Sequence, residues 1–165
     1  VGFTDRLKKG AIGEAIVDRW LRDKGWVPYR PVDGCAHPFD RLVASANKRK
    51  LCIVEVKTKP RREAYRDTGI ERRHFDDYDH VTSTYSIPLF LAFVDERERR
   101  VYGNWWSILL QRRPSGRPFP EAYPWTQKGI VYFPLSIMRP IAELSDEQCR
   151  QLEALRSSAW VESFA

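Results

Sequence analysis

The feature that most constrains this chain is an apolar stretch that carries charge. Residues 51–59 read Leu-Cys-Ile-Val-Glu-Val-Lys-Thr-Lys. Ile53, Val54 and Val56 predict a strand over Leu51–Val56, and a buried strand ordinarily excludes ionised groups because desolvating them is costly. Yet Glu55 interrupts the run and Lys57 follows it. Side chains alternate faces along a strand, so Glu55 and Lys57 share one face while Val54, Val56 and Thr58 share the other. One carboxylate and one ammonium therefore occupy a common patch.

The preceding segment decides what faces that patch. Ser45–Lys50 is short and polar and reads as a hairpin turn joining Phe39–Ala44 to Leu51–Val56 as antiparallel neighbours. With Asn47 and Lys48 as its central pair, counting outward puts Asp40 opposite Glu55. Paired residues of an antiparallel ladder project to one face with Cβ atoms about 5 Å apart, which brings two carboxylates together. Their repulsion calls for compensation, and a divalent cation with Lys57 alongside supplies it. Carboxylates without His or Cys are hard oxygen ligands that select Mg²⁺ or Mn²⁺ over zinc or copper. Mg²⁺ held by one or two carboxylates, waters and phosphate oxygens suits phosphate chemistry.

Around this centre the 165 residues read as a single domain. Apolar residues at helical spacing predict a helix from Thr4 to about Lys24, with Gly25 at its end. Extended segments follow at Val27–Tyr29, Phe39–Ala44 and Leu51–Val56. Thr58–Gly69 reads as loop, Glu71–Tyr85 as helix, and Pro88–Val94 as a buried strand of the parallel type, so that the helix makes a crossover. Val101–Trp106 is a further strand. Four prolines mark residues 111–128 as an irregular loop, Ile130–Phe133 returns to the sheet, and Ser145-Asp146-Glu147-Gln148 has the form of a capping box opening a helix with Leu152 and Leu155 inward. Trp105 and Trp106 could stack bases but are more simply packing residues.

Composition narrows the partners. No segment approaches the roughly 18 apolar residues of a membrane span, and the first residues lack the form of a secretory signal. Three separated cysteines, Cys35, Cys52 and Cys149, and three histidines without zinc-ligand spacing predict a reduced, cytoplasmic protein. The formal charge of +6 favours a polyanion such as nucleic acid. Lys59, Arg61, Arg62 and Arg66 lie just beyond Lys57, with Arg72 and Arg73 at the next helix start. They are candidates for gripping a nucleic-acid backbone, or else a solvated charge run.

Pro38-Phe39-Asp40 and Glu55-Val56-Lys57, on neighbouring strands in the order helix, three strands, helix, strand, resemble the PD-(D/E)xK nuclease superfamily over about residues 4–95. The resemblance implies an α/β fold: a central mixed β-sheet flanked by helices, a restriction-endonuclease-like α-β-β-β-α-β core with a C-terminal extension over about 96–165. It implies a Mg²⁺-dependent deoxyribonuclease, an endonuclease, with Mn²⁺ as substitute cofactor, DNA as partner and, by analogy, a homodimer. Asp40 and Glu55 would bind the metal together with the backbone carbonyl of Val56, and Lys57 would act on the water or the transition state. Glu14, in Gly10-Ala11-Ile12-Gly13-Glu14-Ala15 of the first helix, would assist at the metal, with the small residues letting that helix approach the sheet. His74 and Tyr78 occupy the spacing of a Gln and Tyr found in exonuclease-like branches, although the Gln is absent. The alternative is a nucleic-acid-binding or interaction module that keeps the fold without the activity.

Overall fold

The fold is seen in a computed structural model, which describes residues 3–32 and 37–161. In chain order it comprises α1 (Phe3–Asp23), β1 (Val27–Tyr29), β2 (Arg41–Ala44), β3 (Leu51–Thr58), β4 (Asp67–Glu71) and α2 (Arg72–Tyr85). Then come β5 (Leu89–Asp95), β6 (Arg100–Trp105), a single turn α3 (Trp106–Leu109), β7 (Arg113–Pro114), β8 (Ala122–Tyr123), β9 (Trp125–Gln127), β10 (Ile130–Pro134), β11 (Arg139–Glu143) and α4 (Asp146–Val161).

The central sheet has six strands in the order β1-β2-β3-β5-β6-β11. β3 and β5 are parallel and the other pairs antiparallel. Parallel neighbours need a crossover, and α2 provides it. β5 is buried along almost its whole length, with Leu91, Ala92 and Val94 fully sealed, so its sequence runs apolar without alternation. The parity of β3 divides the interior in two. Val54 and Val56 face α1 and α4 with Ile16, Val17, Leu21 and Leu152, whereas Ile53 faces α2 and β10 with Tyr78, Phe93, Trp106 and Phe133. Both tryptophans of the 105–106 pair are packing residues: Trp105 meets Phe90 edge-on at 5.2 Å, and Trp106 lies among Phe75, Tyr78 and Phe133.

Local chemistry sets the element ends. At the C-terminus of α1, Gly25 takes φ +74 and the Trp26 N–H donates back to the Leu21 carbonyl, an exit that favours glycine. The capping box of α4 closes in both directions: Gln148 N–H donates to Ser145 Oγ at 3.2 Å and Ser145 N–H to Gln148 Oε1 at 2.8 Å. α1 approaches β3 closely through one glycine, not two. A Cβ on Gly13 would stand 1.8 Å from Thr58 Oγ1, whereas one on Gly10 would meet nothing within 4 Å.

The structure corrects the sequence reading in the second half. Residues 58–69 are not all loop, because β3 runs on to Thr58 and β4 opens at Asp67. Ile130–Phe133 does not return to the central sheet; as β10 it pairs with β4 and β9 in a separate three-stranded sheet. Residues 111–128 hold β7, β8 and β9, and Arg139–Glu143, which had no predicted structure, is the far edge of the central sheet on β6. These strands are two to five residues long, too short to show a periodicity. β10 and β11 pair with β4 and β6 far away in sequence, whereas β9 and β10 form a tight hairpin about Lys128 and Gly129 that the sequence reading missed.

Candidate active site

β2 and β3 pair with Arg41 against Val54, Leu42 against Ile53, Val43 against Cys52 and Ala44 against Leu51. This is the register counted from Asn47 and Lys48, and one step further outward sets Asp40 against Glu55. Asp40 sits just before β2 begins, where the ladder is replaced by side chains. Its backbone N–H donates to Glu55 Oε2 at 3.0 Å, and its Oδ2 accepts the Val56 N–H at 2.8 Å. The two acids are thus laced together through each other's strands.

Glu55 is 4% exposed and would be untenable there alone. Its Oε1 accepts Lys57 Nζ at 2.6 Å and the Tyr78 hydroxyl, from the middle of α2, at 2.5 Å. The same ammonium lies 5.6 Å from the centre of the Tyr78 ring. Burial, and next the Glu55 charge, raise the Tyr78 hydroxyl well above its ordinary range, so it remains a hydrogen-bond donor. The His74 ring stacks on Tyr78 at 6.0 Å, and burial with Lys57 nearby lowers its pKa.

Asp40 carries the strain of this arrangement. Its carboxyl is pushed up to about 7, first by burial, then by the Glu55 charge, with Glu14 adding to the rise; the Val56 hydrogen bond and Lys57 only partly offset it. Glu14 itself, on α1, accepts a hydrogen bond from Arg41 Nη2 at 2.8 Å. Arg41 was not singled out in the sequence, and it organises this side of the site. Almost wholly buried, it binds Asp18 through Nε at 2.8 Å and donates from Nη1 to the Asp40 carbonyl at 2.6 Å. Arg30 reaches Asp18 from the other side at 2.7 Å. The available signal was Asp18, four residues after Glu14 within the apolar stripe Ile16, Val17 and Leu21: an acid on a buried helix face demands a cation.

Among the described residues no group of three or more His, Cys, Asp or Glu side chains is arranged to hold a metal ion. Two carboxylates are present instead, in an all-oxygen donor set, and that suits Mg²⁺, which needs only one or two carboxylates alongside water and phosphate. Asp40 is raised first by burial and next by the Glu55 charge, and a cation would relieve the repulsion between the two acids.

The basic candidates separate by partner. Lys59, beyond the end of β3, follows Glu55 and Lys57 in face parity and makes no ion pair within 4 Å among the described residues; burial and then Lys57 lower its pKa. Arg61 pairs with Glu98 at 2.5 Å. The Arg62 fork closes on buried Asp67 at 2.6 and 2.5 Å and lies 3.8 Å from the Tyr132 ring centre and 4.3 Å from that of Tyr65. Arg72 pairs with Asp76 and Arg73 with Glu71 on the surface, and Arg66 is exposed. Cys52 and Cys149 are free thiols, while Cys35 lies outside the described residues. No helix among the described residues is long and apolar enough to cross a membrane.

The mixed sheet, its parallel β3–β5 pair and the helices on both faces define a class of fold, the restriction-endonuclease-like α/β fold. Among solved structures it matches that of Hjc, a Holliday junction resolvase from the archaeal hyperthermophile Archaeoglobus fulgidus. The TM-score is 0.53 at 13% sequence identity, over 78% of this chain and 90% of that one, a likeness of fold. No protein-family model and no curated protein matches the sequence.

Proposed function

We propose that the chain is a Mg²⁺-dependent endonuclease that hydrolyses phosphodiester bonds in DNA. The observation that carries this reading is the β2–β3 register, which sets Asp40 against Glu55 with Lys57 hydrogen-bonded beside them. A surface ion pair would not explain these groups, because Glu55 is buried and bonded on both oxygens. The fold shared with a DNA junction resolvase supports DNA as the substrate, and branched DNA is the form to test beside duplex.

Asp40, Glu55 and the Val56 carbonyl hold the cation in this reading, with Glu14 contributing from α1. Mn²⁺ is a substitute, and the active form is a homodimer. When bound, the metal polarises the phosphate and lowers the pKa of a water. The residues do the rest. Lys57 orients the attacking water and offsets the charge that grows on the phosphate oxygens. Tyr78 keeps Glu55 in place from α2, and Arg41 fixes the backbone of Asp40; both are positioning residues. His74 flanks Tyr78. Lys59, Arg61, Arg66, Arg72 and Arg73 supply backbone contacts, Lys59 and Arg66 directly and the other three after exchanging a partner, whereas Arg62 stays on buried Asp67 and steadies the segment that carries them.

The test is cleavage of supercoiled plasmid and of four-way branched DNA in Mg²⁺ or in EDTA. Cutting is expected in Mg²⁺ alone, and Asp40→Asn and Lys57→Ala each reduce it by at least about 10²–10³-fold, the scale of losing a group that stabilises a transition state, while DNA binding survives. Binding without metal-dependent cutting would instead make the chain a nucleic-acid-binding module on a nuclease fold.

A further inference from the structure

The central sheet carries a second polar feature beside the proposed site. Lys57 pairs in register with Phe93 of β5, and Phe93 with Tyr102 of β6, so the three side chains form one transverse row on a common face. At the ~4.8 Å spacing of neighbouring strands, Tyr102 stands roughly 10 Å from the strand of Lys57. There it helps to wall a cleft of about 490 Å³, closed by the turn after β5 and by segments 115–123 and 134–140.

Arg66, Arg100 and Arg117 line this cleft, and its one acidic lining residue, Glu98, is already neutralised by Arg61 at 2.5 Å. Among the described residues Arg66 and Arg117 make no side-chain ion pair, and Arg100 has only a 3.8 Å approach to Glu143. The backbone at two of these positions is fixed: the Leu135 N–H donates to the Arg66 carbonyl at 2.9 Å, and the Arg117 N–H to Ser115 Oγ at 3.1 Å. The Ser136 hydroxyl adds a polar group to the wall. Two guanidinium groups without an ion pair and a third held only at 3.8 Å by Glu143, gathered in a concavity, match a chain of phosphates, whose oxygens accept paired N–H bonds from guanidinium forks, and a cleft with an excess of one sign concentrates its field.

We propose that this cleft binds the phosphodiester backbone of DNA flanking the bond to be cut, so that the substrate extends from the Lys57 row across β6 onto the C-terminal third of the chain. This rests on the nuclease reading and gives residues 100–140 a role in it. The experiment measures binding of the full chain to duplex and to four-way branched DNA in EDTA, by fluorescence anisotropy over a range of salt. It compares wild type, the triple variant R66Q/R100Q/R117Q, and K48Q/R49Q/K50Q, which removes the same charge from the exposed β2–β3 turn.

The cleft variant is expected to lose at least about tenfold in affinity and to show a salt slope shallower by roughly 2–3, near one for each phosphate contact removed, while the turn variant stays close to wild type. Circular dichroism and thermal melting of both variants establish that each is folded. Equal losses in the two triple variants, or none in either, with wild type still binding and cutting, overturn the cleft and leave the nuclease reading intact. A wild-type chain that binds no DNA at low salt overturns both.

Discussion

Asp40 is an acid held where its charge is difficult to keep. Its carboxyl stands at about 7 in the folded chain against 3.8 when unperturbed. Between those values the folded state holds a proton that the unfolded state has released, so this group's contribution to stability is fully present below about pH 4 and is lost as pH rises through 7. Without divalent metal the chain is expected to lose roughly 2–4 kcal/mol between pH 5 and 8 from this group, read as a falling denaturant midpoint in EDTA. Asp40→Asn should flatten the slope and raise stability at pH 8; a wild-type midpoint that stays level over this range contradicts the burial of that charge. The acids and the lysine were legible in the sequence because parity and turn length are counting arguments. Arg41 was not, since nothing local distinguishes a strand-opening arginine that a distant helix will bury from one that water will solvate.

At the scale of elements, the contact between α1 and β3 has a sign that a helix propensity table gets wrong. Alanine in place of a mid-helix glycine ordinarily stabilises by about 0.5–1 kcal/mol, and Gly10→Ala, with open space around the new methyl, should do so. Gly13→Ala should instead destabilise by about 1–3 kcal/mol, the usual toll of overpacking, because its methyl falls on Thr58 Oγ1. In a Thr58→Ala background much of that penalty should vanish, and a thermal-melting double-mutant cycle measures it. Helix α2 and strand β5 could be read from the sequence because a long apolar periodicity and an uninterrupted apolar run each bury a continuous face. β4 could not, and β10 could be read as a strand but was assigned to the wrong sheet. Their ladder joins Asp67 to Pro134 and Glu71 to Ile130, and a strand of five residues acquires its identity from a partner the sequence places far away.

Over the whole molecule, the central sheet has a helical layer on each side, and the small second sheet packs on it through the apolar side chains Ile70, Val131 and Phe133, while charge holds the second sheet's own rim. Arg62 lies among Tyr65, Trp125 and Tyr132 while gripping Asp67, which also accepts the Tyr123 hydroxyl at 2.8 Å. Arg41 and Arg62 are neutralised by acids within the fold, so the net charge of +6 that a polyanion meets is carried by other basic side chains. The six residues 45–50 have a further consequence. They close the hairpin through Ser45 N–H to the Lys50 carbonyl at 2.9 Å, with Lys48 at φ 56, and their number, together with the buried apolar pattern of both strands, sets the register that brings the two acids opposite each other. In the nuclease reading, losing a single codon there would leave every proposed site residue in place and still abolish cutting. Mutational tolerance in this stretch should track length far more closely than identity: substitutions pass, and odd-numbered deletions do not.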